Sequence, residues 1–168
     1  MYQAGHLWVL RLNHRIERDK RLTTHVALAA RALGCKGIFI HGEHDVLLKE
    51  RIDKVTREWG GDFQIILVDS WKRCCNDFKK GGNGIIVHLT FKGELLQTFE
   101  NEIKELLNQR SVLVVVGGAK VPAGIYNVVD YNVAVTKQPH SEVSALAIFI
   151  DHILDNALEI DFKSNGTK

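Results

Sequence analysis

The stretch SVLVVVGGAK (111–120) restricts what this chain can fold into more than any other. Val112–Val116 offers no polar face to water, so it reads as a strand covered on both sides, as in the middle of a parallel sheet. The rest of the chain carries matching punctuation. LWVLRL (7–12), KGIFIHG (36–42), FQIILVD (63–69), GIIVHLT (84–90) and YNVAV (131–135) read as further strands. Between them, apolar periodicity and glycine stops predict helices over 21–33, 45–59, 71–79, 94–108, 122–129 and 141–158. In the second of these the apolar positions are Val46, Leu47, Ile52, Val55 and Trp59; in the fourth they are Leu95, Phe99, Ile103, Leu106 and Leu107. Alternating strands and helices with short loops predict an α/β domain, a mainly parallel sheet flanked by helices. One domain is expected over 1–168, with a polar tail from about 160 frayed.

Composition excludes several classes. No apolar run approaches the roughly 18 residues a membrane span needs. The start, MYQAGHLWVLRLNHR, lacks the basic and apolar regions of a secretory signal. Three cysteines, Cys35, Cys74 and Cys75, form no CxxC pair, which suits a reduced, cytoplasmic protein with ordinary buried thiols. No His, Cys, Asp or Glu cluster has metal-ligand spacing, so no metal is expected, and His88 reads as a packed residue. Net charge is +2, but residues 1–36 hold seven Lys/Arg against Glu17 and Asp19, a local balance of +5 that leaves −3 elsewhere. That asymmetry points to a localised anion-binding face.

Open parallel sheets bind ligands beyond the carboxyl ends of their strands. Three loops lie there: HLTFKG (88–93), GGAKVP (117–122) and TKQPHS (136–141). The second is neither GxGxxG nor GxxxxGK[ST], which disfavours a pyrophosphate or triphosphate loop. In the third, Pro139 holds Gln138 extended, Ser141 is placed to cap the last helix, and Glu142 suits its first turn. Rigid loops offering backbone groups and apolar walls suit a flat heterocycle. Upstream, RLNHRIERDKRLTTHVALAARALG (11–34) combines a strand end, a basic loop and a helix. With Thr23 or Thr24 as helix cap, Arg18, Arg21 and His25 lie near the first turn, a plausible phosphate clamp. Mutually paired surface charges, Arg15 and Arg18 with Glu17 and Asp19, are the competing reading.

RLNHRIERDKRLTTHVALAARALG, VHLTFKG, GGAKVP and NVAVTKQPHSEVSALA, in this order and spacing, resemble the archaeal tRNA (cytidine-56) 2′-O-methyltransferases of the SPOUT superfamily. The resemblance runs from about residue 7 to 158. It implies an α/β knot with a C-terminal trefoil, a homodimer, and S-adenosyl-L-methionine bound by the knot loops. Carried over residue by residue, the cofactor site comprises Leu89, then Gly117, Gly118, Ala119, Lys120 and Val121, then Ala134, Val135, Thr136, Lys137, Gln138, Pro139, His140 and Ser141. The implied reaction places a methyl group on the ribose of cytidine 56 in the tRNA T-loop.

The sequence departs from the family pattern in two loops. GGAKVP stands where the family usually reads G-A-E-K-V-P, so an acidic residue is missing, and Thr136-Lys137 replaces a more usual Gly-Asn. Leu28 also stands where the wider 2′-O-methylating branch has an arginine. Arg21 and His25, with Arg18 beside them, are the substitutes for the catalytic role. An arginine with a pKa above about 12 stabilises an alkoxide or holds phosphate, while a histidine can accept a proton near neutral pH. Two alternatives remain open at this level: a catalytically inactive tRNA-binding knot protein, and a nucleotide-binding regulator of flavodoxin-like shape. The last helix, apolar almost all round from Val143 to Ile150, suits either burial within one subunit or a dimer interface.

Overall fold

The computed structural model describes residues 2–117, 120–162 and 166–168. Six strands form one sheet: β1 (Leu7–His14), β2 (Gly37–Gly42), β3 (Gln64–Val68), β4 (Ile85–Leu95), β5 (Val112–Val116) and β6 (Tyr131–Ala134). Their order is β3-β2-β1-β5-β4-β6, and every pairing is parallel. β5 is buried at all five positions, as its unbroken apolar run requires. Val9 sits opposite Ile38 on one side and Val114 on the other, so β1 and β5 form the middle of the sheet.

Strand alternation splits the core in two. Leu7, Val9, Val114 and Val116 face the helices α1 (Ile16–Ala32), α2 (Val46–Trp59), α4 (Leu96–Gln109) and α6 (Glu142–Ile153). Trp8, Leu10, Leu113 and Val115 face α3 (Trp71–Gly82) and the short α5 (Ile125–Val128). Cys74 and Cys75 are buried on that second side, and burial, the largest cause for each, pushes their thiols up to about 12 and about 11. All three cysteines are free. No helix among the described residues is long and apolar enough to cross a membrane.

Several boundaries differ from the sequence expectation. α1 begins at Ile16, five residues before the expected start, because a charged first turn (IERDK) hides its periodicity. Its cap comes from another loop: the Ile16 amide donates to the Glu43 carboxylate at 2.9 Å. Thr23 and Thr24 are therefore mid-helix residues rather than caps; Thr23 is buried, and Thr24 donates its hydroxyl to the Lys20 carbonyl at 2.7 Å. In α2 only Leu48 and Ile52 are buried, one turn apart, while Val46, Leu47 and Trp59 are each more than half exposed. In α4 it is Leu96, not Leu95, that turns inward alongside Ile103 and Leu107. α6 stops at Ile153 rather than 158, and a 3₁₀ turn, Ala157–Glu159, follows a left-handed Asn156. The tail, expected to fray, has its described residues docked. Arg31 lies over the Phe162 ring at 5.1 Å, and the Thr167 and Lys168 amides donate to the Glu58 carbonyl at 2.9 and 2.8 Å.

The pairing of β4 with β6 is irregular. Val87, His88 and Leu89 pair with Tyr131, Asn132 and Val133; pairing then resumes with Glu94 opposite Val133 and Leu95 opposite Ala134. Four residues, Thr90–Gly93, are thus thrown out of register. Gly93 permits this, since a Cβ there would sit 2.4 Å from the Asn132 backbone.

Candidate active site

Where β4, β5 and β6 end, a cleft of about 690 Å³ opens. That is the expected position for a ligand in an open parallel sheet, and the volume suits a nucleoside-sized molecule. Leu89 and the extruded segment of β4 (Thr90, Phe91, Lys92) form one wall. The loop after β5 supplies Gly117, Lys120, Val121 and Ala123, and the last wall combines Val135 with His140, Ser141, Glu142 and Ala145. Val116, Val133, His88 and Tyr126 complete it.

Of the residues expected to hold a cofactor, the cleft brings together Leu89, Gly117, Lys120, Val121, Val135, His140 and Ser141. Gly118 and Ala119 lie outside the described residues. Ala134 is buried at the end of β6, beneath the wall. Thr136, Lys137, Gln138 and Pro139 do not line the cleft but shape its third loop. Gln138 donates its amide to the Thr136 hydroxyl at 3.2 Å, and His140 shares a 2.7 Å bond with the Gln138 carbonyl through Nδ1. Lys137 reaches across to donate to the carbonyls of Phe91 and Gly93, tying the third loop to the β4 excursion. Its lysine is therefore a brace rather than an intrusion into the cleft. Ser141 does cap α6, accepting from the Ser144 amide at 3.2 Å. Ser/Thr/Asp/Asn caps of this kind are worth about 1 kcal/mol.

The glycine loop is fixed from β1. Asn13, in the left-handed region at φ 55°, donates its side-chain amide to the Lys120 carbonyl at 2.7 Å. Behind it lies a buried chain of polar groups. Arg11 Nε donates to Thr23 Oγ1 at 3.3 Å, Thr23 Oγ1 lies 2.7 Å from His14 Nδ1, and His14 Nε2 lies 3.1 Å from Asp45. With Asp45 accepting from Nε2–H, Nδ1 accepts from the threonine hydroxyl, so both ring nitrogens of His14 are satisfied. Burial opposes the charge on Asp45, but the Leu48 amide and His14 hold its carboxyl below the usual range. Burial also pulls the Arg11 guanidinium down, against the favourable charges of Glu142 and Asp19. Sequence reasoning missed Arg11, Asn13, His14 and Asp45 as a group; the one available signal was a polar Asn-His pair closing an apolar strand.

The basic residues form two depressions beside the cleft. One, of about 540 Å³, is lined by Asn13, His14, Arg15, Arg18, Gly42, Glu43 and Lys120. Another, of about 440 Å³, holds Arg18, Lys20, Arg21, His25 and Arg51 with Glu17 and Thr24. Lys120 borders both the cleft and the first depression, and Arg18 borders both depressions. Arg21 and His25 are thus neighbours, as expected, but within one chain they do not line the cleft. Arg15 is paired with Asp19 at 3.3 Å, whereas Arg18 and Arg21 form no ion pair among the described residues. There is also no group of three or more potential metal ligands among the described residues.

The comparisons with known proteins decide the family. A family model described as tRNA ribose 2′-O-methyltransferase, aTrm56, matches residues 59–168. The tRNA (cytidine(56)-2′-O)-methyltransferase of Thermococcus kodakarensis is 51% identical over 150 residues, covering 89% of this chain and 82% of that protein. The chain belongs to this methyltransferase family. The family member from Methanopyrus kandleri, of the same name, is 48% identical, with 88% and 80% covered. Among solved structures, the SpoU methyltransferase AviRb of Streptomyces viridochromogenes in complex with AdoMet is similar in fold. Its TM-score is 0.65 at 15% identity, and the match covers 90% of this chain and 58% of that one. The A. aeolicus TrmH/SpoU tRNA-modifying enzyme has a TM-score of 0.63, also at 15% identity, with 94% and 78% covered. At that identity the likeness is one of fold: this family member shares the SpoU-type architecture.

Proposed function

We propose that this protein transfers the methyl group of S-adenosyl-L-methionine to the ribose 2′-oxygen of cytidine 56 in the T-loop of tRNA. The observation that carries the reading is the junction at Lys120, where a nucleoside-sized cleft meets a basic surface in a chain about half identical to enzymes of that name. A relative named as an active enzyme at that identity disfavours the reading of an inactive tRNA-binding knot protein, and nothing observed favours a flavodoxin-like regulator.

The donor set fits the cofactor. Apolar side chains (Leu89, Val116, Val121, Val133, Val135) supply flat walls, and Gly117 and Lys120 line another side of the cleft. The extruded β4 segment and the 134–141 loop close the other sides. Bound there, the cofactor supplies an electrophilic methyl group on a sulfonium. What the chain contributes is position, charge and exclusion of water. In-line geometry and stabilisation of the developing alkoxide are the expected catalytic terms.

Arg18, Lys120 and the Arg21–His25–Arg51 depression hold RNA phosphates and bring the ribose to the cleft mouth. Arg21 stabilises oxyanion character and His25 accepts the proton. Since neither lines the cleft of its own chain, the reading includes a homodimer in which the basic face of one protomer completes the cleft of the other. Ile148, nearly half exposed on α6, supports that arrangement. The reading further includes one domain over 1–168, a C-terminal knot formed as the segment after β6 threads past the β4 excursion, and action in the cytoplasm, where tRNA is used.

Incubation of an unmodified tRNA transcript with methyl-labelled S-adenosylmethionine, followed by nuclease mapping, tests the reaction. Label on the ribose of cytidine 56 is expected; label on a base, or none in the T-loop, overturns the reading. Mixing Arg21→Ala with Gly117→Trp protomers tests the shared site: activity returns in mixed dimers if the two residues act in opposite chains. Unchanged single-turnover methylation in both Arg21→Ala and His25→Ala removes those residues from the mechanism.

A further inference from the structure

His88 has no part in the chemistry proposed above, yet it stands beside the cleft with one ring nitrogen unsatisfied. It lies on the regular part of β4, separated from the extruded segment by Leu89, borders the cleft, and is 0% exposed. Its Nδ1 lies 3.1 Å from the Asn132 side-chain oxygen on β6. An amide oxygen only accepts, so Nδ1 carries the proton and donates, and Nε2 is left with a lone pair. That Nε2 is buried and has no hydrogen-bond partner among the described residues. Tyr126 packs against the imidazole in a T-shaped pair, with centroids 5.2 Å apart and planes at 71°, so the ring is held by this contact as well as through Nδ1.

A buried acceptor with no protein donor is costly, so it is usually completed by a water molecule or by a bound ligand. Both anchors of the ring come from elements that build the cleft: Asn132 precedes the lining Val133, and Tyr126 itself lines the cleft. Burial also lowers the imidazole's proton affinity, which keeps the lone pair available.

We propose that His88 Nε2 accepts a hydrogen bond from a neutral donor on the adenosyl group of the cofactor, with Asn132 fixing the tautomer that makes this possible. His88 stands opposite Val115 on the α3/α5 side of the sheet, where Val121 also packs, and these apolar side chains suit an uncharged amine or hydroxyl rather than the cofactor's ammonium. The proposal rests on the reading of the cleft as the cofactor site and adds a specificity element to it: a purine or ribose lacking the matching donor leaves the buried nitrogen unpaired.

The test uses the folded wild-type protein and S-adenosylhomocysteine. Long-range ¹H–¹⁵N correlation on ¹⁵N-histidine-labelled protein reports His88 directly, assigned with His88→Gln. The expected result is an Nδ1–H tautomer in the free protein and an Nε2 resonance that moves upfield, as for an accepted hydrogen bond, on saturation with ligand. An Nε2–H tautomer, or an Nε2 resonance unmoved at saturation, overturns the proposal while leaving the cofactor site standing; failure of wild-type protein to bind S-adenosylhomocysteine overturns both. Calorimetry gives a second arm. His88→Phe is expected to weaken S-adenosylhomocysteine binding about tenfold. Analogues lacking the N6 donors and analogues lacking the ribose hydroxyls then identify the partner: one class loses about tenfold on wild type and nothing further on His88→Phe. Equal losses on both proteins for every analogue overturn the proposal.

Discussion

Asn13 and Lys120, 107 positions apart, are joined by a 2.7 Å hydrogen bond from the Asn13 side-chain amide to the Lys120 carbonyl. The bond ties the end of β1 to the loop that faces the cleft. Asn13 is suited to both tasks, because asparagine tolerates the left-handed backbone at φ 55° and its amide supplies the donor. Asn13→Gly keeps the backbone conformation and removes only the donor. A net hydrogen bond of roughly 1 kcal/mol predicts about fivefold weaker binding of S-adenosylhomocysteine, with a small change in melting temperature. Calorimetry checks this, and unchanged affinity would mean the loop needs no tether.

Lys137 braces the opposite wall by donating to the carbonyls of Phe91 and Gly93. Lys137→Met retains the aliphatic stem and removes the charge. Because the site is partly open to water, the expected effect is modest, a rise in the cofactor dissociation constant of roughly three- to tenfold. Gly93→Ala is predicted to be harsher. Its new Cβ meets the Asn132 backbone, so a stability loss of about 1–3 kcal/mol is expected in denaturant unfolding.

The thiols make a sharper prediction. Cys35 is fully shielded and pushed up strongly by burial, while Cys74 and Cys75 stand at about 12 and about 11. Thiolate is the reactive form, so at pH 8 the folded protein should react with Ellman's reagent only as fast as it unfolds. Fast reaction of Cys74 and Cys75 without denaturant would contradict the packing of α3.

Acid should destabilise the fold before the carboxylates titrate fully. Burial is the first cause lowering the proton affinity of His88, and likewise of His6 and His41. Below the ordinary histidine pKa of about 6.5, the unfolded chain therefore binds more protons than the folded one. The stability linked to these groups is complete above about pH 6.5 and falls as pH drops through their folded values. Asp45, held low by its hydrogen bonds, adds a loss of the same sign at lower pH. Urea midpoints at about pH 7 and about pH 5.5, on either side of that histidine value, should show the decrease, and His88→Gln should show a smaller one. An equal decrease in the variant would remove His88 as a contributor.

Much of the architecture was readable from residue order. VLVVV had to be an interior strand because its backbone polar groups need partners on both edges and its side chains need cover on both faces. The loops after β5 and β6 were legible because each follows an apolar strand, whereas HLTFKG lies inside β4 as an out-of-register excursion that residue order did not show. The start of α1 was not, since a charged first turn carries no apolar period and its cap, Glu43, lies 27 residues from the Ile16 amide it accepts from. The inward positions of α2 were also misjudged: Val46 and Leu47 are as apolar as Leu48, and only the packing shows which of them faces the sheet.

The sequence by itself determined the parallel sheet, the helices between its strands, the location of the ligand loops and the family, because periodicity and local motif order are properties of neighbouring residues. Only the tertiary structure decided that Lys137 is a brace, that Arg11, Thr23, His14 and Asp45 form one buried chain, and that Arg21 and His25 stand apart from the cleft within the chain. It also decided that His88 carries an acceptor with no partner among the described residues. Those facts depend on contacts between strands and loops dozens of residues apart, where desolvation and hydrogen-bond geometry, rather than residue type, set what a side chain does.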